Sequence, residues 1–259
     1  MILAVDIGNS NIHFGVFEKN ILKDTFSIST TTDRSMDEYV VTIKLLLNEY
    51  GYNANMLDGV IIGSVVPLVT SKLQKAIARL TNSPIMNVGP GVKTGFKIKL
   101  DDPTELGADL AANTAGAIEK VGYPAIIIDL GTATTVSAID SEKAYVGCYI
   151  MPGVQMSLNA LHQTGLLPSV MAEKVVPVVG KNSEDSMRSG VILGAVMASE
   201  GLAGTLINEL NLPKDTPIIL TGGYAKDVER YFNTKVTYIE NLTLKGLNAI
   251  YTINKSKNR

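Results

Sequence analysis

Ala4-Val5-Asp6-Ile7-Gly8-Asn9-Ser10-Asn11 and Ile127-Ile128-Asp129-Leu130-Gly131-Thr132-Ala133-Thr134 are two copies of one pattern. Each is an apolar strand ending in Asp, then an apolar residue, Gly, a small polar turn and a returning strand. A single Asp-x-Gly is commonly only a hairpin turn. Two copies, each opening a similar half of the chain, indicate a duplicated supersecondary unit. Glycine admits positive φ and close approach of backbone N–H groups to phosphate oxygens. Asn9, Ser10, Thr132 and Thr134 add neutral donors. An Asp at the strand end would repel phosphate directly, so a cation is expected between them.

Outward from these turns the pattern is α/β. In the first half, strands are expected at residues 2–5, 12–17 and 21–29. Ser35 with Glu38 has capping-box spacing for a helix to about Tyr50. A strand at 60–62, a helix opened by Pro67 and a strand at 85–88 follow. Residues 89–103 read mostly as loop, and 105–120 as a helix. The second half repeats strands at 124–129, 134–139 and 144–150. Helices are expected at 154–162 and 183–210, a strand at 217–220, a helix at 224–232, a strand at 235–238 and a final helix at 244–253. Two hairpins at the start argue against a pure Rossmann order. The expected boundary is near residue 114, giving domains 1–114 and 115–259.

Composition excludes several classes. With 25 acidic and 23 basic side chains among 259 residues, the chain lacks the basic footprint of a nucleic-acid binder. One cysteine, Cys148, permits no intrachain disulfide, and with two distant histidines a structural zinc site is not expected. Any metal should be a hard cation held by carboxylates, phosphates and water. The N-terminus reads as a strand rather than a signal peptide. Residues 190–207 are long enough to span a membrane, but their small residues suggest a buried helix packed through Gly194, Ala195, Ala198 and Gly201. No membrane partner and a cytoplasmic location are expected. There is no Gly-x-x-x-x-Gly-Lys-Ser/Thr and no Gly-x-Gly-x-x-Gly. Thr221-Gly222-Gly223, between a strand and a helix, is a third place where backbone can approach a flat ligand or phosphate.

The paired Asp turns and the Gly-Gly turn resemble the acetate and sugar kinase, Hsp70 and actin superfamily. Asp6-Ile7-Gly8-Asn9-Ser10-Asn11, Gly107-Ala108-Asp109, Asp129-Leu130-Gly131-Thr132-Ala133-Thr134, and Gly180-Lys181-Asn182-Ser183 with Ser189-Gly190 resemble the type III pantothenate kinases in order and spacing. Ser64-Val65-Val66-Pro67 and Met151-Pro152-Gly153 are also similar. The resemblance implies two duplicated actin-like (ribonuclease H-like) domains with mixed sheets and an interdomain nucleotide cleft. It implies phosphorylation of pantothenate by ATP, with Mg²⁺ and a monovalent cation, K⁺ or NH₄⁺, and a homodimer.

It also implies roles for particular residues. Asp6, Ile7, Gly8, Asn9, Ser10, Asn11, Ile12, His13 and Thr132 would form the nucleotide site, with Gly8 to Asn11 cradling phosphate and Asp6 serving Mg²⁺ through water. From the residues alone, His13 and His162 read as packing or surface groups. Asp129 would hold the monovalent cation. Gly107, Ala108, Asp109 and Leu110 would line the acceptor pocket with Ser183, and Asp109 would take the proton. Ser183 reads equally as a helix N-cap. Leu110 stands where the family often has Arg, and Leu100 where it often has Tyr. Arg188 or a Lys could replace the missing guanidinium. Lys93, Lys97 and Lys99 form a positive cluster that could steer anions or simply meet solvent. Other functions compatible with the fold are a sugar or acetate kinase, an ATP-dependent assembly protein, and a non-catalytic accessory factor in transcription.

Overall fold

The computed structural model describes residues 1–172 and 175–255. The chain forms two compact units. The first comprises Met1–Phe96, Asp101–Glu119 and the segment from Leu242; the second comprises Lys97–Leu100 and Lys120–Asn241. The division therefore falls later than residue 114, and the C-terminal helix belongs with the first unit instead of the second.

The first unit is built on β1 (Ile2–Ile7), β2 (Asn11–Glu18), β3 (Ile21–Ser29), β4 (Gly59–Ser64) and β5 (Ile85–Asn87), in the order β3-β2-β1-β4-β5. β1 pairs antiparallel with β2 and parallel with β4, so the sheet is mixed. Its helices are α1 (Met36–Glu49), α2 (Pro67–Leu80), α3 (Ala108–Val121) and α7 (Leu242–Lys255). The run Ile2-Leu3-Ala4-Val5 is continuously apolar because both faces of β1 are covered. Leu3, Val5 and Ile7 meet Tyr39, Ile43 and Leu47 of α1 and Val69, Leu73 and Ile77 of α2. Ile2 and Ala4 lie on the other face with Ala112 and Ala115 of α3 and Leu244, Leu247 and Tyr251 of α7. That packing is what returns the C-terminal helix to the first unit. The Ser35–Glu38 capping box is formed in full.

The second unit repeats the first. β7 (Ala125–Leu130), β8 (Ala133–Ile139), β9 (Ala144–Pro152), β10 (Ile218–Thr221) and β11 (Thr237–Tyr238) are ordered β9-β8-β7-β10-β11, with β6 (Lys97–Ile98) added beside β9. The turns are not identical. Ile7 pairs with Ile12, leaving four turn residues, whereas Leu130 pairs with Thr134, leaving three.

The helices here are α4 (Val154–His162), α5 (Ser183–Glu209) and α6 (Ala225–Val228). The expected helix at 224–232 divides into α6 and a 3₁₀ turn, Glu229–Tyr231. α5 also corrects an expectation. It buries Met187, Ile192, Val196 and Ala203, but Gly194, Ala198 and Gly201 are exposed instead of packed. Only 22% of its most apolar stretch is buried.

Candidate functional site

β1 delivers Asp6 to the carboxyl end of the first sheet, where the chain must reverse. Gly8 N–H donates to Asn11 O at 3.0 Å, closing the turn. The sequence motif ends here, but the structure adds Thr30. Its N–H donates to Ser10 O at 2.9 Å and its Oγ1 to Gly8 O at 2.7 Å. Two carbonyls that would repel an anion are thus occupied. Gly8 does not have positive φ, so the expectation on that point is corrected. What glycine provides here is room, because a Cβ would sit 3.2 Å from Asn11 O. Asn9, Ser10 and Asn11 are exposed at the turn.

Asp6 lies beside Gly63 of β4 and opposite His13 of β2. Ile12 is fully buried and anchors the returning strand. His13 is exposed in area, yet surrounding protein displaces enough water to lower its pKa below the usual imidazole value. Its ring is therefore mainly neutral at pH 7.

α3 brings the residues expected on the acceptor side to this same end. A Cβ on Gly63 would lie 3.7 Å from the Cβ of Ala108, the first residue of α3. Asp6 and the Gly107-Ala108-Asp109-Leu110 segment therefore stand next to one another through Gly63. Asp109 curls back over Gly107: a Cβ there would be 2.5 Å from Asp109 Oδ1. Leu110 N–H donates to the same oxygen at 2.8 Å. This fixes the carboxylate while leaving Oδ2 for another partner. Asp109 and Leu110 are half-buried.

The second turn has its own supports. Gly131 N–H donates to Ala133 O at 3.2 Å. Gly153 packs so closely on the turn that a Cβ would overlap Thr132 O. Asp129 pairs in register with Thr221. A Cβ on Gly222 would come within 2.5 Å of Asp129 Oδ1, and Gly222 has φ +101°. Here glycine is needed for both space and conformation. The Asp129 carboxylate and the Gly222-Gly223 turn are thus neighbours. Thr132 is exposed, while the buried Thr134 Oγ1 has no hydrogen-bond partner.

No group of three His, Cys, Asp or Glu side chains among the described residues could enclose a metal. The donor set fits Mg²⁺ that takes most of its ligands from phosphate and water, with one carboxylate nearby.

Ser183 is not the cap of α5. Asn182 is, its side chain accepting the Asp185 N–H at 2.8 Å. Ser183, at the first helical position, instead lines a cavity of about 580 Å³ with Leu161, Leu167, Gly180, Lys181 and Met187. Arg188 is held by Glu184 at 3.3 Å, Asp185 at 3.7 Å and the Met171 carbonyl at 3.1 Å. It is not free to replace the guanidinium missing at Leu110. Lys99 binds Asp140 at 2.7 Å and Glu142 at 3.0 Å, and Lys97 approaches Glu142 at 4.0 Å. Lys99 is therefore committed to local carboxylates, whereas Lys97 remains largely in solvent.

Similarity to known proteins bears on the fold and the family. The chain resembles solved structures at low identity, which bears on fold alone. A Campylobacter jejuni protein described as a Baf family transcriptional activator has TM-score 0.60 at 19% identity, covering 98% of this chain and 99% of that one. The activator of 2-hydroxyisocaproyl-CoA dehydratase from Clostridium difficile, with bound ADPNP, has TM-score 0.54 at 10% identity, covering 99% and 96%. These likenesses concern the α/β fold with its two mixed sheets. Type III pantothenate kinases from Halalkalibacterium halodurans and Exiguobacterium sibiricum are 38% and 37% identical, each over 98% of this chain and 100% of the relative. A family profile described as type III pantothenate kinase matches residues 2–204, and the chain belongs to that family.

Proposed function

We propose that this chain transfers the γ-phosphoryl group of ATP to the primary hydroxyl of pantothenate, giving 4'-phosphopantothenate, the first step of coenzyme A biosynthesis. Family membership supports the reaction and its need for ATP and a divalent metal. The observation that carries the residue roles is the adjacency of Asp6, Gly63 and Ala108, which sets the first phosphate turn beside Asp109.

Phosphoryl transfer requires alignment and charge neutralisation more than strong base chemistry. Gly8 to Asn11 receive phosphate oxygens, within a nucleotide segment running from Asp6 to His13. Asp6 would hold Mg²⁺ through water, and the metal would supply neutralisation of phosphate charge. Asp109 holds the acceptor hydroxyl and takes its proton as the bond to phosphorus forms. Its bond from Leu110 N–H fixes Oδ1, so Oδ2 serves the hydroxyl. Gly107, Ala108, Leu110 and Ser183 contact pantothenate. Thr132 contacts ATP, and Asp129 holds K⁺ or NH₄⁺. The enzyme is cytoplasmic and homodimeric, with no nucleic-acid or membrane partner.

The test is ADP release by the purified protein with ATP, Mg²⁺, K⁺ and a panel of acceptors. Asp109→Asn keeps the shape and should lower kcat about 10²–10⁴-fold, with ATP binding retained. Full activity in this variant would remove Asp109 as base. Turnover with a sugar alone would remove pantothenate as acceptor.

A further inference from the structure

Between β3 and α1 lies a charged group to which the roles above give no work. The Arg34 guanidinium stands 5.3 Å from the centroid of the Tyr39 ring. Tyr39 is fully buried, and its hydroxyl donates to Thr31 O at 3.1 Å. Lys72 of α2 donates to Thr32 O at 2.8 Å and Arg34 O at 3.3 Å. The loop is therefore pinned to α2 on one side. On the other, Thr30 pins it to Gly8 and Ser10 of the first turn.

Although the loop is fixed, the guanidinium makes no hydrogen bond or ion pair among the described residues. Its Nη1 is withdrawn from solvent without a partner. Guanidinium cannot shed its charge, and a buried charged donor left unpaired is costly. The Tyr39 ring attracts the cation but supplies no acceptor in the guanidinium plane. The nearby carboxylate of Glu38 already accepts the Ser35 N–H at 2.6 Å. An acceptor for Arg34 is missing, and it should be an anion.

The first turn has the complementary deficiency. Residues 6–13 contain no Lys or Arg, and His13 is disfavoured as a cation. The nearby ammonium of Lys72 is spent on two carbonyls. Arg34 is four residues beyond Thr30, a span of at most about 14 Å even when extended. We infer that Arg34 binds the terminal phosphoryl group of the nucleotide on the Gly8–Asn11 turn. Its planar fork matches two phosphate oxygens, and binding would give Nη1 its acceptor. This rests on the nucleotide reading of that turn.

The test compares Mg²⁺–AMPPNP with Mg²⁺–ADP by titration calorimetry. Arg34→Met should weaken AMPPNP binding at least ~10-fold and ADP binding much less, because a charge-assisted contact to the terminal group is lost. Arg34→Lys keeps the charge and the place over Tyr39 but loses the fork, and should fall between. It also serves if Arg34→Met does not fold. Wild-type AMPPNP affinity in the variants would overturn the inference. Equal loss of both nucleotides together with a lower melting temperature would also overturn it, leaving Arg34 as packing on Tyr39. If the wild type binds nucleotide but ignores pantothenate, the acceptor assignment fails while the Arg34 comparison still reads. If the wild type binds neither nucleotide, the reading of the turn fails.

Discussion

Thr30 shows how much of the proposed phosphate turn lies outside its motif. The Asp-x-Gly signature supplies the reversal, but Thr30, 22 residues from Gly8, orients it by occupying Gly8 O. Thr30→Val is nearly isosteric and removes only the Oγ1 bond, since the main-chain bond to Ser10 O survives. A neutral hydrogen bond of this kind is worth about 1 kcal/mol. The expected result is an ATP KM raised roughly fivefold with pantothenate KM unchanged, measured by steady-state ADP release. An equal rise in both would place the effect on the fold. Asp6 and Asp129 were legible in the sequence because a carboxylate closing an apolar strand is a local pattern. Thr30 was not, because nothing in residues 25–32 reports that this strand end meets the first turn. The cap of α5 failed for another reason. Asn182 and Ser183 are both good caps, and the choice between them depends on Gly180 packing against Ser186 in three dimensions.

At the scale of elements, α3 and α7 decide where Asp109 stands. They cross so closely that a Cβ on Gly246 would overlap Ala112 O, and one on Gly116 would lie 2.8 Å from Leu242 O. Neither glycine has positive φ, so contact distance is the constraint and conformation is not. Gly246→Ala must push the helices apart. Overpacking of this sort costs about 1–3 kcal/mol, seen as a lower midpoint in urea denaturation. Because α3 carries Asp109 in its first turn, kcat should fall more than ATP affinity. A variant with wild-type stability would show that α7 can slide without cost. Most helices and strands were readable from periodicity. The start of α3 was not: the expected helix from 105 begins at Ala108, because Asp102 accepts from Thr104 N–H at 2.8 Å and closes a separate turn. The return of α7 to the first unit was equally hidden, since it rests on contacts between the two ends of the chain.

For the molecule as a whole, the duplicated sheets explain two Asp-x-Gly turns, but not the exposed side of α5. Gly190, Gly194, Met197, Ala198, Gly201 and Thr205 are exposed, and their spacing of three and four residues places them on one helical stripe. Met197 is 62% exposed, and among the described residues nothing beyond the adjoining helix backbone lies within 4 Å of a Cβ built on Gly190, Gly194 or Gly201. An apolar stripe of small residues allows close approach of another helix, and a two-fold axis would let the same stripe meet itself. This supports the proposed homodimer through α5. Ala198→Glu places a charge at the middle of the stripe without touching Val196 or Ala203 on the inner face. Light scattering should then fall from twice 27.7 kDa to 27.7 kDa, with circular dichroism unchanged. A wild type that is monomeric at micromolar concentration would remove the dimer, and an Ala198→Glu variant that remains dimeric would move the interface off α5.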